Sequence, residues 1–318
     1  MVWANRWQNE TTITLCDYET ATCSRIYEHK YEPRQWASHA DYANIVYSNS
    51  SIFVILPLNK QDNAWQHITK IGITTDFKLQ SISHVPSGDY DIRKIIAYRS
   101  EDDTIVYEAQ APNPWNRLVY SAPAGENSMQ QEDRCLTCSD HDCSYVQSAT
   151  VAPAEKLTIS FSCSGPAPPH QRMSIDNNGQ DDAEIRMITE PDPELNRTEW
   201  IIDTFLLSSG YEALVRIYEG DSEQELVPVT LFVYGGPDFN QVKEEFEDDP
   251  APIGYKHAIV KIDVRGSGGR GWKYRSEIYG RLVTVEVEDT IEAMEMVLEK
   301  YPRFDRDRVG VFGWSYGG

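Results

Sequence analysis

Apolar and polar residues in the first half of the chain alternate in short runs. Three runs rich in β-branched and aromatic residues, Ile52-Phe-Val-Ile-Leu56, Ile105-Val-Tyr-Glu-Ala109 and Leu157-Thr-Ile-Ser-Phe161, start 53 and 52 residues apart, and Val2-Trp-Ala4 lies 50 before the first. Strand-like segments from Lys94 to Tyr98 and from Arg117 to Ser121 fall between them, separated by turn clusters such as Ser87-Gly-Asp89, Ser100-Glu-Asp-Asp103 and Pro112-Asn-Pro114. A repeat of this length made only of short strands is the pattern of propeller blades, each a four-stranded sheet that buries its faces against its neighbours. A β-sandwich with accidental spacing is the alternative. Four blades close poorly, which leads us to expect residues ahead of Met1.

Between Asp181 and Asn196 the texture changes to an acidic, proline-containing linker, and the pattern beyond it differs. Trp200 to Leu207 and Glu212 to Tyr218 read as an antiparallel pair. Val229 to Tyr234 and Ala258 to Val264 are apolar enough for buried central strands. From Val287 through Ile291, Met294, Val297, Leu298 and Tyr301 the apolar positions recur at three and four, which predicts a helix with Glu288, Asp289, Glu292, Glu295 and Glu299 on its remaining face. Arg308 to Trp314 is a short strand running into Ser315. Strands alternating with a helix imply a mostly parallel sheet.

Composition narrows the classes of function. The 318 residues are 40% hydrophobic, enough for two globular domains, and 29 Lys and Arg against 50 Asp and Glu give a net charge of −21. Such a charge repels nucleic acid and anionic membrane surfaces, so nucleic acid is not an expected partner. No stretch has the length of an apolar span, and the first residues lack the layout of a signal peptide. The six cysteines, Cys16, Cys23, Cys135, Cys138, Cys143 and Cys163, fall in close groups that suit disulfides. Cys135-Leu-Thr-Cys138 with Asp140, His141, Asp142 and Cys143 could instead be half of a zinc site, although a second pair at finger spacing is missing. Sequons at Asn9, Asn49 and Asn196 join the cysteines in favouring an oxidising, extracellular compartment.

The chemistry centres on Gly313-Trp314-Ser315-Tyr316-Gly317, which satisfies G-x-S-x-G directly after a strand. In that context the serine sits in a strained turn that lifts its Oγ above the sheet, while the next N–H, of Tyr316, faces the developing oxyanion. Two other motifs lead elsewhere. Gly266-Ser-Gly-Gly-Arg-Gly271 fits G-x-G-x-x-G, but no clear helix is expected at its end, so we read no dinucleotide site and no cofactor. The acidic run from Glu244 to Asp249 reads as a solvated loop.

Val233-Tyr-Gly-Gly-Pro237, Val264-Arg-Gly-Ser-Gly268, Glu286-Val-Glu-Asp289 and Gly313 to Gly318, in this order and spacing, resemble the dipeptidyl peptidase IV branch of the prolyl oligopeptidase family. The resemblance extends upstream through Trp3-Ala4, Cys16-Asp-Tyr18, Cys135-Leu-Thr-Cys138, Cys143-Ser-Tyr145 and Cys163-Ser-Gly-Pro166. It implies β-propeller blades over residues 1–184 and the N-terminal part of an α/β-hydrolase domain over 185–318, truncated after the nucleophile elbow. It implies disulfides Cys16–Cys23, Cys135–Cys138 and Cys143–Cys163, and no metal. By resemblance Ser315 is the acylated nucleophile, Tyr316 supplies a backbone N–H, and Tyr234 donates its phenolic hydrogen to the same oxyanion. Family members release dipeptides from free peptide N-termini, preferring Pro or Ala at the second position. Implied partners are therefore peptides, with a homodimer of the whole protein a further expectation, and the implied location is extracellular, secreted or anchored by a segment this chain lacks.

The departures matter as much. In an α/β-hydrolase the triad runs Ser, Asp, His, so acid and base follow the serine. The seven histidines, His29, His39, His67, His84, His141, His170 and His257, all precede Ser315. We therefore expect an internal fragment, nearly inert alone, because a serine hydroxyl without a general base is a weak nucleophile. Val283 stands where relatives have glycine, and Asp238 where they often have cysteine. A non-catalytic propeller binding module and an acylaminoacyl-type peptidase or esterase of the same fold are the alternatives.

Overall fold

The computed structural model describes residues 1–38, 42, 44–85, 88–125, 132–176, 182–195, 199–220, 223–247 and 256–318. His39, Asn196, Ser87 and the end of the acidic run at Asp248 and Asp249 lie outside the described residues.

The first sheet holds three strands, β1 (Val2–Ala4), β2 (Glu10–Cys16) and β3 (Cys23–Lys30). The second is β4 (Val46–Tyr47), β5 (Ser51–Lys60), β6 (Asn63–Ile73) and β7 (Leu79–His84). The third is β8 (Ile92–Arg99), β9 (Thr104–Ala109), β10 (Leu118–Pro123) and β11 (Arg134–Cys135). The fourth is β12 (Val146–Ala152), β13 (Thr158–Cys163), β14 (His170–Ile175) and β15 (Glu184–Met187). Every neighbouring pair in them is antiparallel and sequential, as in propeller blades. The fifty-residue repeat has a structural origin: β5, β9 and β13 are each the second strand of a four-stranded sheet. One core cluster runs from Phe53 and Ile68 through Ile105, Tyr107 and Val119 to Ile159 and Phe161, so adjacent sheets bury each other's apolar faces. β15 begins at Glu184 and pairs with β14 up to Met187, so it runs past residue 184, the expected end of the blades.

All six cysteines are joined as Cys16–Cys23, Cys135–Cys138 and Cys143–Cys163, the pairing implied by the resemblance, which leaves no thiolate for a zinc site.

The fifth sheet contains β16 (Ile201–Leu206), β17 (Glu212–Tyr218), β18 (Val227–Val233), β19 (Ala258–Asp263) and β20 (Phe304–Gly313), in the order β16-β17-β19-β18-β20. β17 is antiparallel to both its neighbours, whereas β18 is parallel to β19 and to β20. A hairpin thus leads into a parallel half, the arrangement of an α/β-hydrolase sheet. Two helices lie between β19 and β20, α1 (Gly271–Arg275) and α2 (Val285–Lys300). The face of α2 differs from the expected stripe. Val285, Glu286, Asp289, Ala293, Met294 and Val297 are buried, while Val287 and Ile291 are 44% and 56% exposed. Two carboxylates take part of the inner face because each has partners there: Arg265 grips Asp289 with two bonds of 2.6 and 2.7 Å, and Glu286 accepts from the elbow described below.

Blades and sheet meet along a polar seam. The Asp91 carboxylate accepts from the Gln66 N–H on one oxygen (2.9 Å) and from the Gly269 and Gly271 N–H groups on the other (3.1 and 3.2 Å). A helix does begin at Gly271, contrary to our expectation, but its five residues dock on a blade, and the Gly269 and Gly271 N–H groups of the glycine loop are occupied by Asp91. The Trp272 indole N–H donates to Gln66 Oε1 (2.8 Å), and Asp238 lies between Arg93 (2.9 Å) and Arg275 (3.3 Å). The described part of the acidic run is not a solvated loop. Glu244 accepts from Asn116 (2.7 Å), and Glu247 pairs with Arg216 and Lys261 (2.9 and 2.6 Å). Desolvated cations on β17 and β19 require those counter-charges.

Candidate active site

β20 is the edge strand of the sheet, and its last residue, Gly313, is in register with Val233 at the end of β18. This register carries Tyr234 to the mouth of the turn that follows Gly313. Trp314 continues extended at φ −130° and ψ 142°, and Ser315 then switches to φ 54°. That left-handed conformation is uncommon for a residue with a side chain and marks a strained turn. One turn of 3-10 helix follows over Ser315–Gly317, closed by Gly317 N–H to Trp314 O (2.9 Å) and Gly318 N–H to Ser315 O (3.0 Å).

The glycines of the motif are fixed by close approach. A Cβ on Gly313 would lie 1.9 Å from the Gly317 carbonyl oxygen, and one on Gly317 would lie 2.0 Å from that of Val233. Neither neighbour is a movable side chain. The turn therefore folds this tightly only with glycine at both positions, and Ser315 and Trp314 are left exposed above the sheet.

Tyr234 is half-buried, its ring packed 4.4 Å from that of Phe239 and 6.5 Å from that of Tyr316, centroid to centroid. Its hydroxyl has no hydrogen-bond partner among the described residues, and neither does Ser315 Oγ. Tyr316 turns its side chain the other way, and its hydroxyl donates to Glu286 Oε1 at 2.6 Å. The same oxygen accepts the Val283 N–H at 2.6 Å, while Glu286 Oε2 is buried with no partner among the described residues. Burial, and then the Glu286 carboxylate, push the Tyr316 phenol up to about 12, so it remains a donor at neutral pH. Beneath the turn, Val233, Glu286, Ile291, Val311 and Tyr316 help to line a cleft of about 300 Å³ that Ser315 does not enter.

Ser315, Tyr234 and Tyr316 are thus brought together at the carboxyl end of parallel strands. The histidines are not. His29, His67, His84, His141 and His170 are on the blades, and half-buried His257 immediately precedes β19 at its opposite end. Among the described residues no group of three or more His, Cys, Asp and Glu could hold a metal ion. Asn9 and Asn49 are exposed. Glu286 is the residue sequence reasoning left without a role, although it forms part of a quoted motif and recurs three residues before Asp289, one turn apart on the buried face.

Propeller-type sheets joined to a mixed sheet with a strained G-x-S-x-G turn define the class: a β-propeller beside an α/β-hydrolase sheet. Residues 1–170 match the dipeptidyl peptidase IV (DPP IV) N-terminal region, and residues 254–318 match the prolyl oligopeptidase family. The chain belongs to the dipeptidyl peptidase IV branch of the prolyl oligopeptidase family of serine peptidases. It is 37% identical to dipeptidyl peptidase family member 1 of Caenorhabditis elegans, over 100% of this chain and 41% of that protein. It is 27% identical to inactive dipeptidyl peptidase 10 of Mus musculus (99% and 40%) and 27% identical to venom dipeptidyl peptidase 4 of Vespa velutina (100% and 41%). The chain therefore spans about 40% of the length of these relatives.

Proposed function

We propose that this chain is the blade-and-elbow portion of an extracellular serine exopeptidase that releases N-terminal dipeptides, with Pro or Ala at the second position, through an acyl-enzyme on Ser315. The observation that carries the reading is the left-handed Ser315 on a turn whose flanking glycines admit no side chain. On this reading Ser315 Oγ attacks the scissile carbonyl while its proton passes to a histidine oriented by an aspartate, both following Gly318 in the order Ser, Asp, His. The carbonyl oxygen becomes an oxyanion received by the Tyr316 N–H and the Tyr234 hydroxyl. The amine then leaves with the proton, and water hydrolyses the acyl group. Blades ending near Met187 would restrict access to peptide termini, and the disulfides with the exposed Asn9 and Asn49 suit a glycosylated, oxidising setting. Among the described residues no helix is long and apolar enough to cross a membrane.

A binding-only role is the second reading, because a relative matching 99% of the chain is named inactive. The retained serine in its strained turn favours chemistry. The test is the full-length protein with paired reporters, dipeptide-linked with a free amine and the same dipeptide N-acylated, beside a fluorophosphonate label. We expect cleavage of the first only, label on Ser315, and loss of both in Ser315→Ala. Cleavage of the acylated reporter would move the assignment to the acylaminoacyl or esterase alternative, and an unlabelled Ser315 with no turnover would leave the binding role.

A further inference from the structure

The N–H that would meet the oxyanion belongs to Tyr316, in the turn Ser315–Gly317. The side chain of that residue is anchored at its far end: the Tyr316 hydroxyl donates to Glu286 at 2.6 Å. Glu286 lies on the first turn of α2, is buried, and is itself held by the Val283 N–H at 2.6 Å, so the anchor belongs to a rigid element. A hydrogen bond to an ionised acceptor is about twice as strong as a neutral one, and here one oxygen takes both donors. Placing a buried carboxylate on the inner face of a helix is costly unless it has such work.

We infer that Glu286 is a positioning residue of the elbow: through the Tyr316 hydroxyl it fixes the Ser315–Tyr316 peptide so that the Tyr316 N–H meets the oxyanion. The assignment rests on the peptidase reading above. Glu286 touches no reacting atom; it acts through Tyr316. Because an oxyanion donor works in the transition state, loosening it lowers the acylation rate and leaves substrate affinity in place.

The experiment uses the full-length protein and a dipeptide reporter. Tyr316→Phe, which removes one hydroxyl and no volume of consequence, should lower the acylation rate roughly 10- to 100-fold, with KM within about threefold of wild type. Glu286→Ala should do the same, and the double variant should be no slower than the slower single one, since both remove one bond. Glu286→Gln should restore the rate to within about threefold, because a single amide oxygen can accept from both Tyr316 and Val283. If wild type turns over and Tyr316→Phe stays within about twofold of it, or the two losses multiply in the double variant, Glu286 has no positioning role. A wild-type protein that neither turns over nor labels at Ser315 removes the peptidase reading itself, and the assignment with it. Tyr316→Phe keeps the test alive if Glu286→Ala fails to fold.

Discussion

At Val283 a β-branched residue is held at φ 63° with 70% of its surface exposed. The left-handed region costs a residue with a Cβ about 1–2 kcal/mol, and glycine there regains most of that while losing some through its freer unfolded chain. Val283→Gly should therefore stabilise the protein by about 0.5–1 kcal/mol, read as a shift of the denaturant midpoint, and an unchanged or lower midpoint would show that the strain is relaxed elsewhere. Tyr234 carries a different prediction. Its hydroxyl has no competing partner among the described residues, so on the proposed reading Tyr234→Phe in the full-length protein costs roughly 10²–10³ in rate, and unchanged turnover removes it from the oxyanion hole. The strained turn was legible in the sequence because Gly313, Ser315 and Gly317 fall within five positions, although the contact that excludes a side chain at Gly317 comes from Val233 on β18. Glu286 was illegible because Tyr316, unlike its local partner Val283, meets it only once β20 and α2 are packed.

Elements were readable to the extent that apolar spacing dictates them. The strands of the blades follow from alternating β-branched runs, but the inner face of α2 does not follow from a count of apolar positions, since Arg265 and Tyr316 make room for Asp289 and Glu286. Polar residues buried inside the blades have a measurable consequence. His67 on β6 is fully buried, with Nε2 donating to the Gly88 carbonyl at 3.0 Å, and burial followed by the nearby Lys60 holds its pKa down at about 3. The unfolded chain binds this proton below about pH 6.5 whereas the folded one waits until about pH 3. The unfolded state thus carries more protons in that window, so stability is full above pH 6.5 and falls as the pH drops. From pH 7.5 to pH 5 this histidine alone should remove about 2 kcal/mol, and His29, held at about 4 by burial, adds to the same slope. Denaturant titrations at the two pH values check it. If His67→Gln leaves the slope unchanged, the proton uptake lies elsewhere.

Across the whole molecule, a network of hydrogen bonds and ion pairs joins the two kinds of sheet. No sequence pattern announced this, because Asp91 and Gly269 lie 178 positions apart. The glycine-rich loop looked like a phosphate cradle for a sound reason: its N–H groups do converge on an anion, and that anion is the carboxylate of Asp91, supplied by the blade. Burial raises the Asp91 pKa, the Gln66 N–H partly offsets the shift, and each oxygen accepts from donors on a different side. An asparagine cannot replace it. With its amide oxygen toward Gln66 its NH2 confronts Gly269 and Gly271, and flipped it confronts Gln66, so either way a buried donor is left unpaired at about 1–3 kcal/mol. The loss falls on the seam, so the consequence is one of coupling. We expect wild type to unfold with coincident far-ultraviolet and tryptophan transitions, Trp272 being buried against Gln66 at the seam. In Asp91→Asn the tryptophan signal should change at lower denaturant than the sheet signal, as the hydrolase part leaves blades that remain folded. Transitions that shift together would mean that apolar packing carries the joint and Asp91 merely adds to it.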